Sequence, residues 1–270
     1  MAGRYIGSKA LLIVAGLLLV LRSVTPAYGQ DEFGSFASSM TPSPQRLIDL
    51  PTAGTLPKGT AAMSLRVYSG GGLLGSITAG VSDRLMMGVS YGGDNLLGTG
   101  KINWNARPEV AIKYLILTET RILPALALGF ESQGFGPYDD NLNRYQVKAR
   151  GFYGVFTRNL PVMGTLGLHA GVNYSIENKD RDGKINMFIG ADKTVNEYVS
   201  VMAEYDLAQN DDQSLPGLGR NKGYLNIGAR LTLSGRFGIE FDLRNILDNR
   251  KGSVSPSREL KILYSDGFDI

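Results

Sequence analysis

An alternation of period two, repeated in runs of about ten residues, most constrains what this chain can become. Phe237-Gly-Ile239-Glu-Phe241-Asp-Leu243-Arg244 puts Phe, Ile, Phe and Leu on one face and Gly, Glu, Asp and Arg on the other. The preceding run sets Leu225, Ile227, Ala229, Leu231 and Leu233 against Tyr224, Asn226, Gly228, Arg230 and Thr232. A third sets Leu166, Leu168, Ala170, Val172 and Tyr174 against Gly167, His169, Gly171, Asn173 and Ser175. Successive side chains of a strand point to opposite faces, so these segments read as strands with one apolar and one polar face. About twelve such runs follow one another: 60–69, 72–82, 84–92, 107–118, 122–132, 144–156, 164–177, 184–192, 197–208, 222–233, 236–246 and 257–265. No helical pattern interrupts them.

Run length and connectors point to a membrane. A tilted strand needs about 9–11 residues to cross a bilayer. The connectors mostly alternate between short (82–84, 118–120, 157–162, 193–196, 234–235) and long, polar ones (93–106, 133–143, 209–221, 247–256). Transmembrane barrels show this asymmetry, with tight periplasmic turns and longer outer loops. Aromatic residues cluster toward the run ends: Tyr68, Tyr91, Phe130, Tyr145, Tyr174 and Tyr205 at one, Tyr153, Tyr198, Phe237 and Tyr264 at the other. They read as two interfacial girdles. The chain holds 35 Gly, many on the polar face, which suits a curved wall around a filled interior. The competing reading is a secreted, soluble β-sandwich with its apolar face turned inward. The expected fold is all-β: a transmembrane antiparallel up-and-down barrel of about 12 strands.

Residues 1–29 read as a secretory signal. Arg4 and Lys9 precede the apolar stretch Ala10–Leu21, and Ala27-Tyr28-Gly29 is a small-x-small cleavage site. Its three basic residues (Arg4, Lys9, Arg22) account for the whole formal excess of +3, which removes the main support for nucleic-acid binding. Residues 30–58 are polar and carry Pro42, Pro44, Pro51 and Pro57, so they read as an extended periplasmic arm. Residues 59–270 form the barrel. With no Cys, the chain lacks thiol chemistry, a cysteine zinc site, disulfides and a lipoprotein anchor. The expected location is the bacterial outer membrane, with its lipids and the barrel-assembly machinery as partners.

In a closed barrel the polar face points inward. Arg66, Glu109, Lys113, Glu131, Lys148, Arg150, Lys184, Asp192, Glu204 and Asp206 fall on it. So do Arg66, Arg230, Glu240, Asp242, Arg244, Glu259 and Lys261, which lie on the first and last three runs. Closure would join these seven into a charged belt across the seam. The belt either neutralises itself or lines a path for a solute.

Catalytic signals are weak, and the chain is not expected to be an enzyme or to carry a cofactor. His169 is the sole His, and it falls on the inward face, whereas lipid hydrolysis would need it on the lipid side. Asn178, Asp180 and Asp182, followed by Gly183, match the start of a calcium loop, but the closing Glu is replaced by Ile189. The flanking segments read as strands, so an acidic hairpin turn is the preferred reading. Gly98-Thr-Gly100-Lys101 lacks the spacing of a phosphate loop. Residues 30–58 are too short to be an autotransporter passenger.

Ile48-Asp-Leu-Pro51-Thr52-Ala53-Gly-Thr-Leu-Pro57-Lys-Gly59 resembles the opening of the YjbH-like group of outer-membrane proteins, where a Pro-Thr-Ala segment and a Pro-x-Gly precede the first strand. Short segments such as Met87-Gly-Val-Ser-Tyr91-Gly-Gly and Ala203-Glu204-Tyr205-Asp206 extend the resemblance over roughly 48–265. It implies a non-enzymatic barrel with an envelope or exopolysaccharide-related role and a polysaccharide as partner. A small diffusion pore for sugars or other small solutes is the alternative.

Overall fold

The computed structural model describes residues 44–213, 219–233, 236–250 and 255–268. The proposed signal segment and residues 30–43 lie outside them. The described residues contain no helix. Fifteen strands follow in chain order: β1 (Thr60–Tyr68), β2 (Gly72–Ser82), β3 (Leu85–Asp94), β4 (Asn103–Trp104), β5 (Glu109–Leu117), β6 (Ala125–Glu131), β7 (Phe135–Asp139), β8 (Arg144–Val147), β9 (Gly151–Pro161), β10 (Thr165–Tyr174), β11 (Asn186–Thr194), β12 (Val199–Asp206), β13 (Tyr224–Thr232), β14 (Phe237–Arg244) and β15 (Ser257–Gly267). Twelve of them close a ring, every neighbour antiparallel, with β15 returning to β1. Closure leaves no unpaired strand edge, which lipid could not satisfy. β4 only extends β3, and β7 and β8 form a separate hairpin.

Burial alternates as the sequence alternates. Phe237–Arg244 runs from half-buried Phe237 through buried Glu240, Asp242 and Arg244, with exposed Phe241 and Leu243 between them. The exposed side chains are the apolar ones: Phe241 is 60% exposed and Phe156 50%, whereas Glu240 is 0% and Glu204 2%. A soluble protein turns this pattern the other way. The inside-out arrangement excludes the soluble sandwich, and the barrel lies in the bacterial outer membrane, where single-chain barrels with even strand numbers occur.

Two expectations are corrected. The run 144–156 is not one strand. Arg144–Val147 belongs to the β7–β8 hairpin, and the wall strand starts at Gly151, whose positive φ of 63° turns the chain into the sheet. There a Cβ would lie 2.2 Å from the Tyr174 carbonyl oxygen, so Gly is required twice over. The girdles also lose three members, because Tyr68, Tyr145 and Tyr153 are buried inside. The outer rim instead includes Tyr91 stacked on Trp104, 5.7 Å between centroids, and Phe130 against Phe152 at 4.9 Å.

The short turns, including the one at Asp83, gather at one end of the barrel, and the long connectors lie at the other, together with the tight β1–β2 turn at 69–71. Cys placed at Asn95 or Gln213 is expected to react with a membrane-impermeant maleimide in whole cells, and Cys at Asp83 only after the outer membrane is breached. The converse pattern would invert the assigned orientation.

Candidate functional site

The lumen is filled by a piece of the chain itself. Of the arm expected to extend into the periplasm over 30–58, the described part, from residue 44, does not do so. Residues 44–57 are packed inside the barrel, with Leu47, Ile48, Leu50 and Asp49 at most 1% exposed. An antiparallel bridge between Arg46 and Pro51 tightens the segment into a turn. Polar composition and four prolines gave the extended reading; an irregular segment can enter a lumen if the wall satisfies its backbone.

The wall does so from several strands. Glu204 on β12 accepts the backbone N–H groups of Ile48 (3.1 Å), Asp49 (3.0 Å) and Leu50 (2.9 Å), and Asn226 on β13 donates to it at 2.7 Å. Lys261 on β15 donates to the Ile48 carbonyl (2.9 Å). Lys113 on β5 donates to the carbonyls of Gln45 (2.6 Å) and Gly54 (2.9 Å). Arg46 pairs with Glu131 on β6. Glycines make room: a Cβ on Gly190 would lie 2.3 Å from Leu47 Cδ1, and one on Gly80 would lie 2.0 Å from the Pro57 carbonyl oxygen.

At the apex of this plug, Asp49 is clamped. Arg66 donates to Oδ1 at 2.7 Å and Arg244 Nε to Oδ2 at 2.9 Å. Burial pushes the Asp49 carboxyl up, but the adjacent Arg244, Arg66 and Lys261 outweigh it and hold it well below the usual carboxylate range. Both arginines also pair with Glu259. The Phe135 ring lies under three guanidiniums: Arg66 at 4.5 Å, Arg244 at 5.3 Å and Arg46 at 5.6 Å.

All seven expected belt residues lie in the lumen. Arg66 is directly opposite Lys261, Lys261 opposite Glu240, and Glu240 opposite Arg230, a single row across four strands. Lys261 reaches Glu240 at 2.5 Å and Asp242 at 3.0 Å, and Arg230 reaches Glu240 at 2.7 Å. Arg230 is the least buried, its side chain 21% exposed. What the sequence did not reveal is that Asp49, from outside the strand pattern, completes the cluster. Of the other inward candidates, Lys184 is not in the wall: it is exposed and pairs with Asp212 at 2.6 Å.

The β7–β8 hairpin and its neighbours lie at the outer mouth, held by ion pairs. Arg144 on β8 binds Asp180 (2.6 Å) and Asp211 (2.9 Å), and Lys148 binds Asp180 (2.9 Å). Arg150 pairs with Asp206. Of the calcium-loop candidates, Asp180 is therefore engaged by cations. Asp180 lies against Arg144 and Lys148, Asp182 accepts the Asp212 N–H, and Asn178 donates to the Ser175 carbonyl. No trio of acidic or His side chains able to hold a metal ion occurs among the described residues.

His169 has two partners, neither of them the Asn173 of its own strand. Nε2 lies 2.7 Å from Asp192, and Nδ1 lies 2.9 Å from the Thr157 hydroxyl. With Nε2 protonated, Nδ1 accepts the Thr157 O–H, leaving the Thr157 oxygen to accept the Ala53 N–H at 2.8 Å. The order Thr–His–Asp resembles a nucleophile relay. Here the hydroxyl is 1% exposed and occupied by the plug, so the chain of bonds fixes Ala53.

The space left beside this cluster is small. The cavity lined by Arg66, Tyr68, Phe135 and Arg244 holds about 10 Å³, room for one water.

No protein-family model and no curated protein matches the chain. Among solved structures, the KdgM porin is 7% identical, with a TM-score of 0.48, over 78% of this chain and 99% of that one. The NanC porin is 9% identical, with a TM-score of 0.40, over 78% and 100%. An outer membrane channel from Pseudomonas putida F1 is 10% identical, with a TM-score of 0.39, over 79% and 97%.

Proposed function

We propose that this barrel is a non-enzymatic outer-membrane channel for small polar solutes, closed in the present state by residues 44–57. The observation that carries the reading is the origin of the filler. Wall side chains could have neutralised one another across the lumen. Instead Glu204, Lys113, Lys261 and Thr157 bind the backbone of a segment that joins the first wall strand at the periplasmic mouth, where the Lys58 N–H meets Asp83. Withdrawal of that segment toward the periplasm leaves a polar passage through an intact wall. An exopolysaccharide-related role rests on the resemblance of Ile48–Gly59, and that stretch overlaps the plug.

Planar-bilayer recording of the full chain tests the reading. The wild-type barrel is expected to be mostly closed. Glu204→Ala removes the acceptor of three backbone N–H groups, each costing about 1–3 kcal/mol when left buried and unpaired. That variant should assemble and conduct in long openings. A wild-type barrel that conducts continuously, or an assembled Glu204→Ala barrel that never conducts, contradicts the proposal.

A further inference from the structure

We propose that the β7–β8 hairpin is a latch on the plug: Phe135 ties residues 44–57 to the outer connectors, so that displacing the hairpin at the outer mouth releases the plug toward the periplasm. The inference rests on the channel reading above and adds how the closed state is held from the outer side.

The apex of the plug meets the hairpin in the outer half of the lumen. Arg66 lies two residues from the outer end of β1, and Arg244 is the last residue of β14. Phe135, the first residue of β7, is 5% exposed. Its ring has the Arg46 guanidinium of the plug at 5.6 Å, and the two wall arginines that clamp Asp49 at 4.5 and 5.3 Å. An aromatic face carries partial negative charge, so one ring attracts all three cations. The hairpin thus holds the plug twice: directly at Arg46, and at Asp49 through Arg66 and Arg244.

The local backbone aims the ring. The pairing of β7 with β8 shifts register between Phe135 and Tyr138, and a bulge of this kind redirects a side chain. Gly136 permits it with a φ of 76°, and a Cβ there would lie 2.5 Å from Gln146 Oε1.

β8 carries the other end of the latch. Arg144 donates to Asp180 in the β10–β11 connector at 2.6 Å and to Asp211 in the β12–β13 connector at 2.9 Å. Glu177, also in the β10–β11 connector, accepts the backbone N–H groups of Tyr145 (3.1 Å) and Ala149 (2.7 Å). A continuous path of contacts therefore runs from two outer connectors through β8 and β7 to the plug. Whatever favours a displaced hairpin then favours withdrawal of the plug, and the reverse holds by linkage.

The chain has no Cys, so Leu47→Cys supplies a single thiol in the plug, at a position 1% exposed. Its rate of reaction with a maleimide, in outer membranes accessible from the periplasmic face, tests the latch. Heat-modifiable mobility checks that each variant of the full chain assembles. Arg144→Gln cuts both outer ion pairs, and Phe135→Leu keeps an apolar side chain without the aromatic face. Each is expected to raise the slow rate of Leu47→Cys about tenfold. Together they should raise it no further than either alone, because they break one path. Phe135→Tyr keeps the face and should leave the rate low. Should Arg144→Gln fail to assemble, Asp211→Asn, which leaves Asp180 paired with Lys148, takes its place with the same expected pattern. An unchanged rate in the variant that loosens β8, or effects of the two substitutions that multiply in full, overturns the latch and leaves the plug. Rapid reaction of Leu47→Cys by itself defeats the plug, and the channel reading with it.

Discussion

Phe241→Arg is expected to abolish assembly, while Asp242→Asn, one residue along the same strand, is expected to assemble normally. Phe241 is 60% exposed on the outer wall and pairs with Ala229 and Leu260, both on the same apolar surface. An Arg near the bilayer midplane costs roughly 2–4 kcal/mol, which lowers the folded fraction about 30- to 1,000-fold. Asp242 faces the lumen at 2% exposure, 3.0 Å from Lys261. Losing its charge leaves Lys261 with Glu240 and the Ile48 carbonyl, so the row across the seam persists. Heat-modifiable mobility in outer-membrane fractions reads both outcomes. Normal assembly of Phe241→Arg together with failure of Asp242→Asn would exchange the two faces.

A second large effect is expected at Gly190. This residue faces the lumen in the middle of β11, directly across from His169 and Glu204 on the neighbouring strands. A Cβ there already falls 2.3 Å from Leu47 Cδ1, so Gly190→Phe places a ring where Leu47 packs. Overpacking of this kind costs about 1–3 kcal/mol. The wall is closed by continuous backbone pairing, so the plug yields first. The variant should keep its heat-modifiable mobility, gain frequent channel openings and expose residues 44–57 to periplasmic protease. An assembled Gly190→Phe barrel that stays closed and protected would mean that Leu47 is not held against β11.

The wall was legible in the sequence because its physics is local. A strand with lipid on one side and a polar lumen on the other must alternate, and eleven of the twelve wall strands coincide with alternating runs, while β9 overlaps its run only over 151–156. The belt Arg66, Arg230, Glu240, Asp242, Arg244, Glu259 and Lys261 follows from that alternation plus closure, because inward positions on β1 and β15 must meet. The break at Gly151 was not legible. Arg144 and Tyr145 continue the alternation, but their polar and apolar partners are Asp180, Asp211, Glu177 and Tyr138 at the outer mouth, not the wall. The plug was hidden for a related reason. Its backbone donors find Glu204 about 155 residues away, and its carboxylate finds Arg244 195 residues away. Nothing in the local pattern of residues 44–57 announces such partners. Three prolines and few apolar residues describe an exposed arm and a lumen-filling turn equally well. The one local clue was the cluster Leu47, Ile48 and Leu50, an apolar group in an otherwise polar arm; all three are now buried.

A cross-link measures directly whether residues 44–57 lie inside the barrel. The chain has no Cys, so Leu47→Cys combined with Gly190→Cys creates the sole pair of thiols. Their predicted closeness follows from the 2.3 Å between a Gly190 Cβ and the end of the Leu47 side chain. Mild oxidation of isolated outer membranes should convert most of the assembled double variant to an internally disulfide-bonded form, seen by mass spectrometry and reversed by reductant, with neither single variant responding. An assembled barrel in which both thiols stay free, and the one at position 47 reacts with a periplasmic maleimide, would place the arm outside the lumen and contradict the account.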